Sequence, residues 1–311
     1  MTPHATPRDY CLWLGLAAMW SSSYAVIKLG VETLDPFVLV AGRMCVGAAL
    51  MLFVLRLAGL RLSRDSHVWL HYAATGLLGS TIPFWFITYG EQSVDSALAA
   101  ILMGLAPVAT VVLAAHVFPD ERLTLRTSLG VACALAGLVA LVGPAALSGL
   151  GADLWGQLSI VAATFCYAAS TVYVKRFVRR PALEMAAGSM LIGASIAVVV
   201  VLGRGGVSSV PTTEGLWAIL YLGLFSTALA NLIYFYLVPR MGATRMSQVN
   251  FAVPVGGCVI GVLALGEALT PDRIAALAVI CAAVLLVLKR PSEPQKASAA
   301  SLLRGWRRSA G

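Results

Sequence analysis

The sequence predicts an all-α integral membrane protein, with ten transmembrane helices arranged as two inverted five-helix repeats. Three observations carry this. Of the 311 residues 59% are hydrophobic and only 12% are charged, about half the charge of an ordinary soluble domain. Apolar runs of about 20 residues, the length that crosses a hydrocarbon core, recur ten times. The second half of the chain also repeats the first.

The runs lie near 10–30, 36–56, 68–90, 94–117, 125–143, 154–175, 183–203, 214–237, 243–265 and 272–289. Each must be helical, because barrel strands are shorter and alternate apolar with polar residues. The first run, CLWLGLAAMWSSSYAVIKLG, follows Arg8 as a signal-peptide core would. It is too long for one, and the later runs make it an uncleaved helix. The second carries Arg43, which reads as structural and paired with Glu32 or Asp35. The third opens on His67 and His71, one turn apart and without a third ligand, so interfacial residues rather than a metal site. The fourth and ninth hold Pro107 and Pro254 mid-run. Each proline removes a backbone donor, frees a carbonyl and kinks its helix, as mere shape or as a hinge. The fifth and tenth carry small residues at helical spacing, Gly130, Ala134 and Gly137, and Ala275, Ala278 and Ala282. These read as close helix packing, within the chain or between copies. The connections are too short to hold a soluble domain, and residues 291–311 form a polar cytoplasmic tail.

The formal charge of +8 invites a nucleic-acid partner, but its distribution argues against one. With a cytoplasmic N-terminus, only Lys28, Arg43, Arg204 and Arg273 of the 22 basic residues fall in the outer half. Glu32, Asp35, Glu91, Asp95, Asp153, Glu214, Glu267 and Asp272 all lie outside. This is the positive-inside pattern of a multi-pass protein in a bacterial-type inner membrane, with both termini cytoplasmic. The excess charge is topology, with some attraction to anionic lipid. The six cysteines sit in apolar runs without CxxC spacing and read as small buried residues. No metal or other cofactor is expected. The expected partners are a small-molecule solute and membrane lipid, with no nucleic acid, and the expected assembly is a monomer.

Shifted by 147 residues, WSSSYAVIK (20–28) meets YAASTVYVK (167–175), and Pro107 meets Pro254. A shift of 146 sets Glu121-Arg122-Leu123-Thr124 on Glu267-Ala268-Leu269-Thr270, and Ser80-Thr81 on Ser226-Thr227. The order of these stretches is the same in both halves, which marks an internal duplication: 1–148 and 149–290, five helices each. Five is odd, so the second copy enters the membrane from the opposite side. Two such copies can open a cavity to one face and then to the other, with a site near the midplane between them.

These residues carry a family resemblance. The helix-1 stretch WSSSYAVIK, the turn Gly104-Leu105-Ala106-Pro107, the ERLT and EALT stretches and the duplicated ten-helix plan resemble the drug/metabolite transporter superfamily. Within it, the chain is similar to the EamA-type exporters over about residues 10–290. The aromatic positions of the first, third and eighth runs are similar to those of the family's aromatic amino-acid exporters. That family usually has a glycine after the helix-1 tryptophan. Ser21 stands there in this chain, so no backbone-approach role is carried onto it.

Helical spacing picks out the polar faces. Trp13, Ala17, Trp20, Tyr24 and roughly Lys28 form a stripe on the first run, echoed by Tyr167 and Thr171 on the sixth. Thr81, Trp85 and Thr88 on the third map onto Thr227, Asn231 and Tyr234 on the eighth. Met103, Pro107 and Thr110 on the fourth map onto Asn250, Pro254 and Gly257 on the ninth. Polar groups facing lipid are costly, so such faces turn inward and enclose a cavity. The resemblance implies that the same six helices line the transport path. The expected cavity residues are Trp20, Tyr24, Thr81, Trp85, Thr88, Met103, Tyr167, Thr171, Asn231, Tyr234 and Asn250.

Plainer readings stand beside these. Ser21, Ser22, Ser80 and Ser226 can bond their own helices or a neighbour. Trp13, Trp69, Tyr72, Trp155, Trp217 and Tyr221 read as interfacial anchors. Lys28 and Lys175 either snorkel to headgroups or form a gate with a carboxylate across the repeat.

No Asp or Glu lies at the centre of any run, which disfavours a relay built on a mid-membrane carboxylate. Coupling through a terminal glutamate stays open. There is no Walker motif and no HExxH, and GASIA at 193–197 lacks the last glycine of a nucleophile elbow, so an enzyme is not expected. The expected function is a secondary transporter, by family resemblance an exporter, of small organic solutes. Amino acids with aromatic or apolar side chains suit the walls, with other metabolites or drugs as the alternative.

Overall fold

The helices begin where the sequence supplies a cap. Thr6 accepts from the Asp9 amide and Asp9 from the Thr6 amide, a reciprocal capping box, with Pro7 at the start of α1 (Pro7–Val31). Asp35 accepts from the Phe37 amide at the head of α2 (Pro36–Leu57), and Asp65 from the His67 amide at the head of α3 (Ser66–Gly76). A π-helical stretch, Leu77–Thr81, joins α3 to α4 (Ile82–Gly90). Then follow α5 (Ser96–Met103), α6 (Ala106–Val117), α7 (Leu125–Leu147), α8 (Ala152–Phe177), α9 (Ala182–Gly203) and α10 (Thr213–Tyr221). A second π stretch, Leu222–Leu229, leads into α11 (Ala230–Met241), α12 (Ala243–Ser247), α13 (Val249–Leu265) and α14 (Pro271–Val287). This computed structural model describes residues 6–119, 121, 123–147, 152–207 and 211–287, with backbone alone at 141–147, 152, 243 and 244. Among them there is no strand. Arg122 and the polar tail lie outside the described residues.

Seven segments are long and apolar enough to cross a membrane: α1, α2, Ser96–Val117, Asp153–Phe177, α9, Thr213–Met241 and Arg245–Leu265. Leu125–Ala140 is a shorter apolar helix. With that one, three of the ten expected runs fall outside the seven, the others being the third and the tenth. The third begins with His67, Trp69, His71 and Tyr72, which dilute its apolar character, and α14 has only 17 residues.

The duplication seen in sequence recurs in three dimensions. The shift of 146 sets the first π stretch inside the second. The strongest packing pairs counterparts: α2 with α9 and α7 with α14. Other contacts come in mirrored couples: α1 lies on α13 as α8 lies on α6, and on α11 as α8 lies on α4. Gly47 abuts Met190 while Gly193 abuts Met44, so α2 and α9 are antiparallel. Gly90, at the end of α4, abuts Gly156 near the start of α8. Lys28, near the end of α1, bonds the adjacent Glu91 carbonyl. Thus α1 and α8 run in opposite directions, and Lys28 and Lys175 mark opposite ends of the bundle.

Helices in hydrocarbon gain nothing from hydrophobic exclusion and associate through close packing and buried polar bonds. The largest core wraps α5, buried along its whole length, with Ile160, Leu222 and Ile280 against it. A second core joins Met44, Met51 and Leu55 of α2 to Met190 of α9. Tyr72 ties α3 to α9 and corrects the expectation of an interfacial anchor. It is fully buried, donates to Glu184 Oε1 at 2.6 Å and accepts from the Ser63 amide at 3.2 Å. The surrounding helices leave no room for an interfacial tilt. Tyr72→Phe strips both bonds, and we expect a loss of about 2 kcal/mol, read as a lower thermal midpoint in detergent.

Candidate functional site

The two ends of the bundle, related by the repeat, are built differently. At the Lys28 end, the Lys28 ammonium donates to the carbonyls of Glu91 and Val94 at 2.9 and 3.0 Å. The Glu267 carboxylate accepts from the Ser96 and Ala97 amides, both at 2.8 Å. These are first-turn amides of α5 that no helical carbonyl can satisfy, and a carboxylate there also meets the positive end of the helix dipole. Arg273 pairs with Asp95 at 2.6 Å and pins the same turn. Beneath this, α13 packs along α5, with Gly257 against Ala100 and Gly261 against Ala97.

At the Lys175 end the counterparts behave otherwise. Lys175 and Glu121 pair with each other, and their side chains are 50% and 38% exposed. The stretch 243–250, counterpart of α5, makes no comparable packing with α6 or α8 among the described residues. Thr171, Val174 and Phe177 of α8 and Gln248 beside α13 are exposed there.

The expected cavity residues divide into groups. Trp20 and Tyr234 are half-buried with ring centres 5.8 Å apart. Tyr24 is buried and lies electrostatically close to Tyr167, Arg43 and Glu91. Trp85 stacks near Phe37, ring centres 5.5 Å apart. The Trp85 indole nitrogen and the Thr88 hydroxyl are buried without partners. Thr81 is fully buried, bonds the Gly76 carbonyl at 3.1 Å and abuts Gly193. Met103 lies in the α5 core. Thr171 is exposed and bonds its own helix at Tyr167, 2.9 Å away. Asn231 also donates back, to the Thr227 carbonyl at 2.6 Å. Asn250 is half-buried. The three hydroxyls of WSSSYAVIK are all engaged: Ser22 and Ser23 bond carbonyls of their own helix at Ala18 and Trp20, Ser22 also meets the Tyr221 hydroxyl at 2.7 Å, and Ser21 bonds the Val253 carbonyl of α13. His71 bonds the Tyr173 hydroxyl at 2.8 Å, and no metal-ligand cluster occurs among the described residues.

The prolines are not equivalent. Pro254 lies inside a continuous α13. At Pro107 the expected kink becomes a break: α5 ends at Met103 and α6 begins at Ala106. Gly104 sits at the break, held between Ile280 and Pro254, where Phe251 keeps the counterpart helical.

Sequence reasoning missed two residues. Arg43 is 3% exposed, and neither Glu32 nor Asp35 pairs with it. Asp35 is occupied as the α2 cap. Arg43 instead donates to Thr227 Oγ1 at 3.1 Å and stacks 3.8 Å over the Phe84 ring, with its Nε unpartnered. Glu91 is fully buried with both carboxylate oxygens unpartnered. Its signal was its place three residues beyond Thr88, on the Trp85 face. Buried polar atoms left without partners are costly, so they mark a place built for something other than stability. A surface pocket of about 550 Å³ near Leu55, Arg56 and Arg61 involves none of these residues.

The arrangement is compatible with a carrier, and comparison with known proteins places it. The EamA-like transporter family matches residues 8–143 and again 154–289. An uncharacterized inner membrane transporter of Escherichia coli, YedA, is 29% identical over 275 residues, 88% of each chain. YoaV of Bacillus subtilis, an uncharacterized transporter, is 24% identical over 88% of this chain and 94% of its own. A protein of Salmonella typhimurium described as a probable amino-acid metabolite efflux pump is 26% identical over 90% and 94%. A crystal structure superposes with a TM-score of 0.65 at 22% identity, covering 91% of this chain and 98% of that one. With a match in each half covering nearly the whole of it, this multi-pass membrane chain belongs to the EamA-like transporter family.

Proposed function

We propose that the protein is an inner-membrane secondary transporter that exports small organic solutes by alternating access. Its ten spans form two inverted five-helix repeats, with both termini cytoplasmic. The solutes are amino acids with aromatic or apolar side chains. The observation that carries this reading is the difference between the two ends. One is closed by Lys28, Glu267 and the α5–α13 contact. At the other, the counterpart Lys175 and Glu121 pair with each other beside the Phe118 ring, both partly exposed, and the counterpart helices make no comparable packing among the described residues. Related ends in unlike states are what alternating access requires. By charge distribution the closed end faces outside, so the conformation is open inward. Tyr24, Trp85 and Tyr167 supply aromatic walls, and the Salmonella relative supports amino-acid chemistry.

Uptake into proteoliposomes tests the proposal, using labelled tryptophan, phenylalanine, leucine and lysine with and without a pH gradient. Saturable entry of the first three, with lysine excluded, is the expected result. Dependence on the gradient would add proton coupling. Transport of other metabolites or drugs alone would refute the amino-acid assignment, and no solute movement at all would refute the transporter reading.

A further inference from the structure

Two ionisable side chains stand in the interior with unpartnered atoms, each brought there by a different helix. Arg43 comes from the middle of α2. One of its Nη atoms has Thr227 Oγ1, its face has Phe84, and its Nε has no acceptor. Glu91 comes from the end of α4, and neither of its oxygens meets a donor. The two do not touch, yet each feels the other's charge, and the Tyr24 phenol lies near both.

The obvious neutralising partners are taken. Lys28, the other cation near Glu91, spends its ammonium on two backbone carbonyls. Glu267, the other carboxylate in range, is held by the α5 amides. Tyr167, from α8, lies electrostatically near Arg43 and Tyr24. A guanidinium and a carboxyl with unpartnered atoms therefore lie near each other and near two phenols in the interior.

A simple carboxylate would satisfy only Arg43, and a simple amine only Glu91. An α-amino acid carries both complementary charges one carbon apart. Its carboxylate fits the planar guanidinium fork and its ammonium fits a carboxylate. We propose that Arg43 and Glu91 bind the carboxylate and ammonium ends of a zwitterionic amino acid, with its side chain held against Tyr24 and Tyr167. This rests on the transporter reading and names the groups that select its substrate class.

The test uses the purified full-length protein and three ligands: phenylalanine, phenethylamine, which lacks the carboxylate, and 3-phenylpropionate, which lacks the ammonium. The leucine set, with isopentylamine and 4-methylpentanoate, is run alongside. Wild-type protein should bind each truncated analogue at least about tenfold more weakly than its amino acid. Glu91→Gln should erase the preference for phenylalanine over 3-phenylpropionate. Arg43→Lys, which keeps the charge but loses the fork, should weaken phenylalanine and 3-phenylpropionate and spare phenethylamine. A misfolded variant weakens all ligands together, so a change of preference cannot come from unfolding. Phenylalanine or leucine bound with unchanged preference in both variants overturns the assignment and leaves the transporter reading standing. Transport confined to solutes that are not zwitterions, with no amino acid bound, overturns both.

Discussion

Gly90→Val is expected to cost about 3 kcal/mol or more and to abolish the folded protein. A side chain at Gly90 would place its first carbon 2.6 Å from Ile160 Cγ1 and 2.7 Å from the Gly156 carbonyl oxygen. A side chain can rotate away, but the Gly156 carbonyl belongs to the backbone of α8. The two helices must therefore part, and overpacking of this kind typically costs 1–3 kcal/mol when the surroundings can still adjust. The consequences spread beyond the crossing. Glu91, Val94 and the N-terminus of α5 follow Gly90 directly, so displacing it pulls the Lys28 and Glu267 bonds out of line. Gly15→Ala is the control, since nothing lies within 4 Å of a side chain there. Replacing a mid-helix glycine by alanine in open space should be neutral or stabilise by up to about 1 kcal/mol. Monodisperse yield and thermal midpoint in detergent read both. A Gly90→Val protein with the wild-type midpoint would show that the α4–α8 crossing is not this close.

Much of the fold was legible in the sequence because its determinants are local or periodic. Apolar runs of spanning length announce the helices, and the shift of 146–147 announces the repeat. The π stretches were not legible, because nothing local in Leu77–Thr81 departs from an ordinary helical run. The break at Pro107 was hidden for a different reason. Both prolines occupy equivalent positions, but the first repeat breaks at Gly104-Leu105, just before its proline, and the second at Gln248, six residues before its own, where Phe251 stands in place of Gly104.

The site was legible in part. Helical spacing brings Trp20, Tyr24 and Trp85 to notice, but it cannot say which hydroxyls are free. Most of those in WSSSYAVIK are spent on nearby carbonyls. Whether a charge is paired is a tertiary property. Arg43 reads as paired because acids lie within two turns of it. The fold instead points it away from them, and Asp35 is used as a cap. Glu91 reads as an exposed end of a run because the chain turns there, yet Lys28 and α5 close over the turn and bury it.

Glu267→Ala is expected to shift the balance between the two conformations by about a hundredfold, toward opening at the end assigned to the outside. Each hydrogen bond to an ionised group contributes about 1.5–3 kcal/mol. Glu267 accepts two, from Ser96 and Ala97, and both amides have no other acceptor within α5. Losing about 3 kcal/mol from the closed arrangement alone gives the hundredfold shift. Ser96 supplies the reporter. It is fully buried, its hydroxyl has no partner, and Ser96→Cys is close to isosteric. An impermeant thiol reagent applied from outside should label that cysteine slowly in the parent and far faster once Glu267 is removed. Glu121→Ala makes the reciprocal comparison. Among the described residues its carboxylate pairs with a half-exposed Lys175 in this conformation, and pairs of that kind contribute about 0–1 kcal/mol. It should leave labelling from outside unchanged or lower it, since an alternating carrier would use Glu121 in the opposite state. Equal labelling of Ser96→Cys with and without Glu267 would show that the carboxylate caps α5 without gating it. The closure would then reside in the α5–α13 contact, where Gly257 and Ala100 meet.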